Sequence, residues 1–600
     1  MKAIKNCIFA IRTVFHYAPL NAVLYTAGFF VPAFFTGAQM LLIQHIVDSG
    51  AALVQGRGEL RPVVCWSGLL VIMLTLWVSL QKLGSYEMTV IRTRLTRRMA
   101  PDIADRLTDL EYAGFEEKGV QEVFQKMSNE PQEMVAQCFD KTMNNIQGTM
   151  SLIFSMAVFF SISVWVGVGV LLIGIPTSIL GYLSAGKRRL ITKESADAKR
   201  RMADLKGLLS NKHAMYEMKL FSSEELFARK WDQSSGELAD ITLREGRKAL
   251  IIEIASNLLQ MLYVVFIIFT VTYSFFQGSI TLGQFTAAFS GASTIGNKLY
   301  SAAWQMSLML KHAMEMDFYM EFLSLEPRKD KGEVEFLDHY HIAFENVSFR
   351  YPGTEQEILR NVTFYVKDGE RIAFVGENGA GKSTIIKLLC GLYEPTTGRV
   401  TVGGVPVRSL SETFRQKLLS VVFQDFQGYQ MTLRENIAFG NIDRMEQDGE
   451  LIHALRLAGG EELLADKQGL GRNLGKLEED GQDLSRGQWQ RVAMARAFVS
   501  DARYVILDEP TAALDPIAES RMYENFAKIF HERGTIMISH RLASARMANR
   551  ILVLDGGRIV QTGNHEELMK KGGLYREMYL AQSSWYSVKE VTEGAVSPVV

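Results

Sequence analysis

The sequence of 600 residues predicts two unlike domains, a helical membrane-spanning domain of six spans followed by an α/β domain. Apolar stretches long enough to cross a bilayer occupy roughly the first 310 residues, and nothing comparable follows them. Strands and helices alternate in the second half, around a glycine-rich loop. The composition agrees, because 48% hydrophobic residues together with 22% charged residues require the apolar residues to be concentrated in one part of the chain.

Six membrane spans are predicted from the apolar stretches, since a helix needs about 20 residues to cross a bilayer. The third and fourth spans come from one uncharged run, residues 150–185, which is too long for a single span. Gly167 and Gly169 mark the place where we expect this run to turn. The predicted spans are Asn21–Ile46, Pro62–Leu80, Gly148–Trp165, Gly167–Ala185, Ile251–Phe276 and Leu282–Leu310.

Basic residues predict the orientation, because Lys and Arg accumulate on the cytoplasmic side of membrane spans. They follow the second and fourth spans, whereas the connectors on the other side are short and carry few charges. Both termini and the second domain are therefore expected in the cytoplasm. Residues 1–20 lack the unbroken apolar centre of a signal peptide and are predicted to form an amphipathic helix along the cytoplasmic membrane surface. The basic residues are Arg92, Arg94, Arg97, Arg98, Lys187, Arg188, Arg189 and Lys193.

Two long cytoplasmic connectors, Ser85–Asn145 and Gly186–Lys248, show helical periodicity and are predicted to form helical hairpins. Turn-like sequence surrounds Gly114 in the first and Ser222 in the second, where Ser222 and Glu225 have the spacing of a capping box. The hairpins are either solvated coils or arms whose tips contact the domain that follows.

The sixth span is the least apolar and is expected to face a cavity rather than lipid. It contains Lys298, and a charge within a membrane segment favours a functional role. Two interpretations remain open for this lysine. It faces a transported substrate, or it is structural, with its stem extending toward the interface or its charge paired with a carboxylate such as Glu253.

The glycine-rich loop predicts a nucleotide triphosphate site. Its glycines allow the backbone to wrap around phosphate oxygens, Lys382 adds a positive charge, and the Ser383 hydroxyl is suited to bind magnesium. An apolar strand, residues 371–375, precedes the loop and a helix follows it, which makes a chance match improbable. The loop reads Gly376, Glu377, Asn378, Gly379, Ala380, Gly381, Lys382, Ser383, and Thr384 follows it.

Three further segments carry candidate site residues. The strand from Tyr504 ends in Asp508, suited to magnesium, and Glu509, suited to activating water. Ser485 and Gln488 have the spacing of a helix N-cap, and Gly487 would let a phosphate approach the backbone there. His540 follows an apolar strand and is placed to contact a γ-phosphate, although a lone histidine there is more often structural.

Together these motifs resemble the ATP-binding cassette transporters, and within them the type I exporters that fuse six spans to one nucleotide-binding domain. The resemblance extends from the first span to about Gln582. Leu484–Gln488 is similar to the family signature LSGGQ, with Arg486 where glycine is usual. The segment Ala513–Asp515 is similar to the D-loop, and His540 to the switch histidine. By similarity, Gly114 and Ser222 lie near the two coupling helices.

The resemblance implies ATP and Mg²⁺ as cofactors. Glu509, His540 and Lys382 would be catalytic, and Ser383, Gln424 and Asp508 would hold the metal. Tyr351 would stack on adenine, the loop from Gly376 to Thr384 and Gln424 would bind the nucleotide, and Ser485, Gly487 and Gln488 would bind the nucleotide of another subunit. A homodimer is therefore favoured, with a heterodimer left open. The effect of Arg486 on phosphate contact is also left open.

The domains are predicted as an amphipathic segment at 1–20, the membrane domain at 21–325, a linker at 326–340, the cassette at 341–582 and a tail at 583–600. The chain is expected to export an amphipathic small molecule or peptide across a bacterial plasma membrane. An importer of the siderophore type on the same fold, or an ATP-gated regulatory subunit, is the alternative. A net charge of −1 gives no sign of a nucleic-acid partner.

Overall fold

The computed structural model describes residues 2–116, 118–127, 130–165, 194–325, 332–465, 467–510, 533–539 and 542–586, with a few isolated residues in the intervals between them. The chain forms two compact units. The first comprises Met1–Thr108 and Glu122–Leu325, and the second comprises Asp109–Gln121 and Glu326–Val600. The segment Asp109–Gln121 thus belongs to the second unit, although it lies in the first half of the sequence.

The described part of the first half of the chain consists of helices joined by short turns. Four of the described helical stretches are long and apolar enough to cross a membrane: Pro19–Val54, Leu60–Thr108, Pro131–Ile162 and Glu224–Phe276. In chain order the helices are α1 (Lys2–Tyr17), α2 (Pro19–Ala33), α3 (Phe35–Val54), α4 (Leu60–Thr108), α5 (Lys118–Met127), α6 (Pro131–Ile162), α7 (Ala196–Ser210), α8 (Lys212–Leu220), α9 (Glu224–Phe276) and α10 (Leu282–Ser324).

The predicted spans map onto these helices as follows. The first, second, third and fifth lie in the four apolar stretches, the third extending three residues beyond the end of α6 at Ile162. The sixth lies in α10, which is not among the four described stretches that are apolar enough to cross a membrane. The fourth, Gly167–Ala185, lies mostly outside the described residues. The count of six therefore remains a prediction.

One face of α9 supports the assignment of a membrane helix. Leu258, Leu262, Val265 and Phe269 recur at helical spacing and are 60–70% exposed. A large exposed apolar face of this kind is unfavourable in water and suits contact with lipid.

Two interruptions of the spans were not predicted. The first span is divided at Phe34, because Pro32 lacks an amide N–H and its ring crowds the preceding turn. Helix α6 ends at Ile162, where Ser163 is extended with a φ of −159°. This break precedes Gly167, one of the two glycines expected to mark the turn, and Gly169 lies outside the described residues.

The N-terminal segment forms the predicted amphipathic helix, α1. Its buried side includes Cys7, Ala10 and Val14, at helical spacing. The side-chain amide of Asn6 donates hydrogen bonds to the Ala313 carbonyl oxygen at 2.7 Å and to the Asp317 carboxylate at 2.6 Å, both on α10. Helix α1 is therefore anchored to the last helix of the first unit.

Both long connectors are helical in their described parts and turn where expected. In the first, α4 is followed by a 3-10 turn at Tyr112–Glu116 and then by α5. In the second, α8 ends at Leu220 and α9 begins at Glu224.

The capping box predicted for Ser222 and Glu225 is wrong. Ser222 has a φ of +48°, and the cap of α9 is Ser223, which makes no side-chain capping bond. The Ser223 amide donates to the Met218 carbonyl at 2.9 Å and the Ser222 amide to the Lys219 carbonyl at 3.3 Å. These two bonds form a Schellman motif, so Ser222 ends α8 and does not start α9.

The second unit contains two sheets. A four-stranded antiparallel sheet has the order β2-β1-β4-β5, and a six-stranded sheet has the order β10-β9-β3-β8-β7-β6. The second sheet is parallel except for its edge strand β10. The strands are β1 (Ile342–Arg350), β2 (Glu357–Val366), β3 (Arg371–Gly376), β4 (Thr397–Val402), β5 (Val405–Pro406), β6 (Leu419–Val422), β7 (Tyr504–Asp508), β8 (Gly534–Ile538), β9 (Arg550–Asp555) and β10 (Arg558–Gly563).

The central strands of the parallel sheet are buried along almost their full length, as expected for strands covered on both faces. A separate apolar cluster joins the helical segment between β6 and β7, including Leu433, Leu451 and Val492. The helices of this unit are α11 (Lys382–Leu389), α12 (Glu412–Leu418), α13 (Leu433–Ala438), α14 (Asp448–Leu457), α15 (Arg486–Val499), α16 (Leu542–Ala545), α17 (His565–Lys571) and α18 (Leu574–Tyr586).

Candidate nucleotide-binding site

The topology of the parallel sheet gathers the candidate residues at one edge. Strands β3, β8 and β7 are adjacent and parallel, so their carboxyl ends meet there. Ligands bind at this edge in open α/β sheets. The glycine-rich loop follows β3, and Asp508 ends β7. His540, which follows β8, and the segment Ala513–Asp515 lie outside the described residues.

The loop has the backbone that its glycines were expected to provide. Gly379 and Gly381 have φ values of +81° and +98°, in the left-handed region that favours glycine. A Cβ atom at Gly381 would also lie 2.5 Å from the Leu359 side chain. Between strand and helix, Glu377, Asn378 and Gly379 are exposed. The loop is therefore open to a ligand on one side and packed on the other.

Lys382 begins α11 and its side chain crosses the loop. Its amino group donates to the carbonyl oxygens of Gly376 and Glu377, both at 2.8 Å. Burial lowers the pKa of Lys382 from its ordinary value, while the nearby carboxylates of Glu509 and Asp508 act in the opposite direction. The arrangement places a buried cation between the loop and two acids.

Tyr351 lies against the first turns of α11. Its hydroxyl is 3.0 Å from the Thr384 hydroxyl, and the Lys387 amino group lies 5.2 Å from the centre of its ring. The structure thus places this aromatic ring beside the helix that starts at the loop, as a base-stacking side chain requires.

Asp508 is buried at 3% exposure, and one of its carboxylate oxygens, Oδ1, has no hydrogen-bond partner among the described residues. Burial raises the pKa of Asp508 to about 6, and a hydrogen bond with Ser383 opposes this shift. A carboxylate oxygen without a partner, beside a serine hydroxyl, is a donor set that fits a magnesium ion.

Glu509 follows β7 with a φ of +51°, which is uncommon for a residue other than glycine. Its amide donates to the Ile538 carbonyl at 3.0 Å, and its carboxylate accepts a hydrogen bond from the Gln424 side-chain amide at 3.0 Å. Asp508 and Glu509 both act on Lys382. The two acids therefore share one site, even though neighbouring side chains on a strand point to opposite faces.

Ser485 caps α15 through the predicted capping box. Its hydroxyl accepts from the Gln488 amide at 3.3 Å, and the Gln488 side chain accepts from the Ser485 amide at 3.0 Å. Within the described part of this chain, neither residue bonds to the glycine-rich loop, and Gly487 forms the first turn of the helix between them. The structure thus gathers Lys382, Ser383, Asp508, Glu509 and Gln424, and it uses the Ser485 hydroxyl to cap α15.

Gln490 lies on α15, the signature helix, which begins within the signature-like segment Leu484–Gln488; its contact with the site was not predicted. It is 3% exposed, and its side-chain amide donates to the Glu509 carbonyl oxygen at 3.5 Å. The sequence offered only one weak signal, a polar residue among apolar neighbours on one helix.

The tip of the first hairpin is packed within the second unit. Of the two hypotheses for the hairpins, solvated coils or arms whose tips contact the following domain, the first hairpin fits the second hypothesis. The ring of Tyr112 lies edge-on against Tyr393, with ring centres 5.6 Å apart. Glu111 forms an ion pair with Arg408, which also binds Glu394 at 2.7 Å. The tip of the second hairpin belongs to the first unit, where Phe221 is 74% exposed.

Lys298 has hydroxyl partners in the first unit. Its amino group donates to the hydroxyls of Thr36 on α3 and Ser151 on α6. Glu253, the carboxylate considered as a partner, accepts a hydrogen bond from Ser184 at 3.0 Å. Among the described residues no ion pair of Lys298 is present, so its charge is held by neutral groups from two other helices.

The fold and the site define a membrane-embedded ATPase. Residues 359–512 match the family model of the ABC transporter, and residues 23–299 match that of the ABC transporter transmembrane region. The chain belongs to the ABC transporter family. The predicted fold class is confirmed, with helical membrane region first and phosphate-loop ATPase second, and so is the prediction of an ATPase coupled to transport.

Individual relatives cover much of the chain. The subtilin transport ATP-binding protein SpaT of Bacillus subtilis is 34% identical over 417 residues, which is 68% of each chain. The nisin transport ATP-binding protein NisT of Lactococcus lactis subsp. lactis is 28% identical over 560 residues, or 92% of each chain. A solved bacterial Atm1-family ABC exporter with ATP bound shares the fold, with a TM-score of 0.75 at 23% identity over 93% of this chain and 99% of that one.

Proposed function

We propose that this chain is one half of a dimeric exporter that uses ATP hydrolysis to move an amphipathic small molecule or peptide across a bacterial plasma membrane. One observation carries the proposal. A single chain joins helices fit to span a bilayer to a unit that places Lys382, Asp508 and Glu509 around one phosphate-binding loop. The names of SpaT and NisT, which refer to subtilin and nisin transport, support a substrate of that kind.

The loop residues bind the phosphates of ATP in this proposal. The amides of residues 376–384 and the start of α11 present partial positive charge, and Lys382 adds a full charge to the outer phosphates. Tyr351 stacks on the adenine ring. Ser383, Asp508 and Gln424 are the residues that would hold Mg²⁺, which when bound neutralises phosphate charge.

Glu509 is the residue that activates water. Its carboxylate lies at the carboxyl end of β7, oriented by the Gln424 amide at 3.0 Å. Gln424 therefore has two roles in this proposal: it would help to hold Mg²⁺, and its side-chain amide orients the carboxylate that activates water. His540 would steady the γ-phosphate, since it follows the strand between β3 and β7. Most of the rate enhancement comes from positioning and charge.

A second copy of the chain completes the site. Ser485, Gly487 and Gln488 sit at the start of α15, where the amides of a helix N-terminus attract an anion. They do not bond to the loop of their own chain within its described residues. We infer that they contact the nucleotide held by the loop of the partner subunit, in a head-to-tail homodimer.

The hairpin tips carry movement of the cassettes to the membrane helices. For the second tip, the binding site in this proposal is a groove of about 640 Å³ on the second unit of the other copy, lined in part by Phe426, Tyr429 and Phe439. Arg496 forms one wall, stacked on Tyr429 with its guanidinium 4.9 Å from the ring centre. The exposed Phe221 of a second copy fits such a groove, because aromatic side chains and a stacked arginine favour an aromatic guest.

Alternating access in the first unit completes the cycle. Polar residues of α10 face a cavity that opens to one side of the membrane and then to the other, and Lys298 contacts the substrate there. Its hydroxyl partners leave its charge free to attract an anionic group. Import on the same fold and ATP-gated regulation without pumping are the rival functions.

Transport in inside-out membrane vesicles tests the proposal. A labelled amphipathic peptide, chosen from a panel that includes nisin by its stimulation of the purified protein's ATPase activity, is the probe. We expect ATP-dependent accumulation of the peptide in the vesicle lumen, and none in vesicles carrying Glu509→Gln. ATP-dependent loss of preloaded peptide would instead establish import. ATP-dependent ion conductance without accumulation would establish gating.

A further inference from the structure

A ladder of aromatic rings links the candidate adenine site to the tip of the first hairpin. Tyr112, at the tip, meets Tyr393 with ring centres 5.6 Å apart and an interplanar angle of 88°. Tyr393 meets Tyr351 at 5.3 Å and 89°. All three residues belong to the second unit. Near-perpendicular contacts at these distances are the favourable edge-to-face geometry of aromatic pairs.

The middle ring of the ladder is fixed in place. Tyr393 is 3% exposed, and Phe349, at 2% exposure, packs against both Tyr393 and Tyr351 with ring centres 5.5 and 4.9 Å away. The Lys387 amino group lies 5.2 Å from the Tyr351 ring and 5.8 Å from the Tyr393 ring. Since close-packed rings cannot reorient independently, a change in the position of Tyr351 must be shared by Tyr393.

Ion pairs of Arg408 provide a second contact between the tip of the first hairpin and the segment that contains Tyr393. Arg408 binds Glu111, which precedes Tyr112, and also binds Glu394, which follows Tyr393, at 2.7 Å. Its side chain is only 20% exposed, so the pair is partly shielded from water. The tip is thus held to the segment directly after α11, the helix that begins at the phosphate loop.

We propose that Tyr393 is a positioning residue that couples the base of the bound nucleotide, through Tyr351, to the first hairpin tip at Tyr112. The inference rests on the proposed function, in which Tyr351 stacks on adenine. A stacked base restrains Tyr351, which restrains Tyr393 and then Tyr112. Coupling between two sites is reciprocal, so a well-seated tip must in turn strengthen the binding of a nucleotide that has a base.

The proposed coupling predicts a result that a purely structural role of Tyr112 would not give. Phosphate binding depends on Lys382 and the loop amides. The ladder reaches this segment only through the Tyr351 hydroxyl, 3.0 Å from the Thr384 hydroxyl, and a change at Tyr112 leaves both of those groups in place. Loss of the tip ring must therefore weaken ATP binding and leave the binding of inorganic tripolyphosphate, which has phosphates but no base, unchanged. A general weakening of the fold would reduce both affinities together.

The experiment measures the Mg²⁺-dependent affinities of the full-length protein in lipid nanodiscs for ATP and for tripolyphosphate. A Glu509→Gln background prevents hydrolysis. Tyr112→Ala is expected to weaken ATP binding about fivefold with no change for tripolyphosphate. Tyr112→Phe keeps the ring and should restore ATP affinity. Tyr365→Ala removes a tyrosine that is 52% exposed on β2, outside the ladder, and should change neither affinity.

The outcomes separate the coupling from the proposed function. An unchanged ATP affinity in Tyr112→Ala, with the ATP preference of Tyr351→Ala lost, would overturn the coupling and leave the nucleotide site standing. Equal loss of ATP and tripolyphosphate binding in Tyr112→Ala would also overturn the coupling. A Tyr351→Ala variant that still prefers ATP to tripolyphosphate would remove Tyr351 from the adenine site and overturn both.

Discussion

Glu509 occupies a backbone conformation that a non-glycine residue adopts at a cost. Its φ of +51° turns the chain at the end of β7, and its amide is held by the Ile538 carbonyl at 3.0 Å. A left-handed residue of this kind costs about 1–2 kcal/mol, and such strain is concentrated at functional sites. In this conformation the Glu509 carboxylate accepts the Gln424 hydrogen bond and, together with Asp508, lies near enough to Lys382 to oppose the lowering of its pKa by burial.

Replacing Glu509 by Gln should abolish turnover and leave ATP binding intact. The amide keeps the size of the side chain but cannot accept a proton from water, so we expect hydrolysis to fall at least about a hundredfold. Steady-state ATPase activity and ATP affinity of the purified protein check this. Glu566→Gln, an exposed change in the first turn of α17, is the matched control and should leave turnover unchanged. Hydrolysis near the rate of the unchanged protein would remove Glu509 from its proposed role.

Residue spacing predicted the loop well, because its requirements are local. Gly381 must be a glycine for a local reason, its φ of +98°. The approach of Leu359, 22 residues earlier in the chain, adds a second reason that the spacing did not show. The contact of Gln490 with Glu509 and that of Tyr112 with Tyr393 join residues far apart in the chain. No local pattern encodes such pairs, so sequence reasoning offered contact of the hairpin tip as one of two hypotheses and identified neither pair.

At the scale of elements, two serines with the same capping-box spacing behave differently. Ser485 and Ser222 both precede an acidic or amide residue by three positions, and only Ser485 forms a capping box. Leu484 before Ser485 is not helical, so Ser485 is free to take the extended backbone of an N-cap, with a ψ of 158°. Ser222 follows Phe221, the C-cap of α8, and must end that helix first, in the left-handed conformation.

Helix ends within the membrane domain were the least predictable elements. Hydropathy places an apolar run but does not locate a break inside it. The break at Phe34 depends on the missing amide of Pro32, and the end of α6 at Ile162 precedes Gly167. The long helices themselves were predicted, because an apolar run of bilayer length is a strong and local signal.

Phe221, on the turn between α8 and α9, should be required for coupling but not for hydrolysis. Phe221→Ala removes the aromatic side chain proposed to dock in the groove beside Tyr429 and Arg496 of a second copy. We expect substrate stimulation of ATPase activity to be lost and vesicle transport to fall about tenfold or more, with basal hydrolysis within about twofold. Both activities are measured on the same preparation.

Leu243→Ala is the control for the Phe221 change. Leu243 lies on α9 away from the turn and is 57% exposed, so its loss removes apolar surface without touching the tip. Its stimulation and transport should match those of the unchanged protein. A Phe221→Ala variant that still transports at the full rate would exclude docking by this side chain.

At the scale of the whole molecule, the proposed role of Ser485 implies that two chains form each ATP site. In the proposed function, hydrolysis needs Lys382, Asp508 and Glu509, which one chain assembles, and the resemblance to ABC exporters adds Ser485. Within its described residues the chain does not bond Ser485 to its own loop. A head-to-tail pair related by two-fold symmetry would supply each loop with the partner's helix and close after two copies.

Mixed dimers test this arrangement directly. Lys382→Ala and Ser485→Arg each disable both sites of a homodimer. In a mixed dimer both defects fall in one composite site, and the other site keeps an intact loop and an intact signature helix. Random mixing of the two inactive variants should therefore restore ATPase activity to at most about a quarter of the normal rate. Mixing Lys382→Ala with Asp508→Asn damages the same half of each site and should restore nothing. Activity no higher than that of the separate variants would mean that Ser485 acts within its own chain.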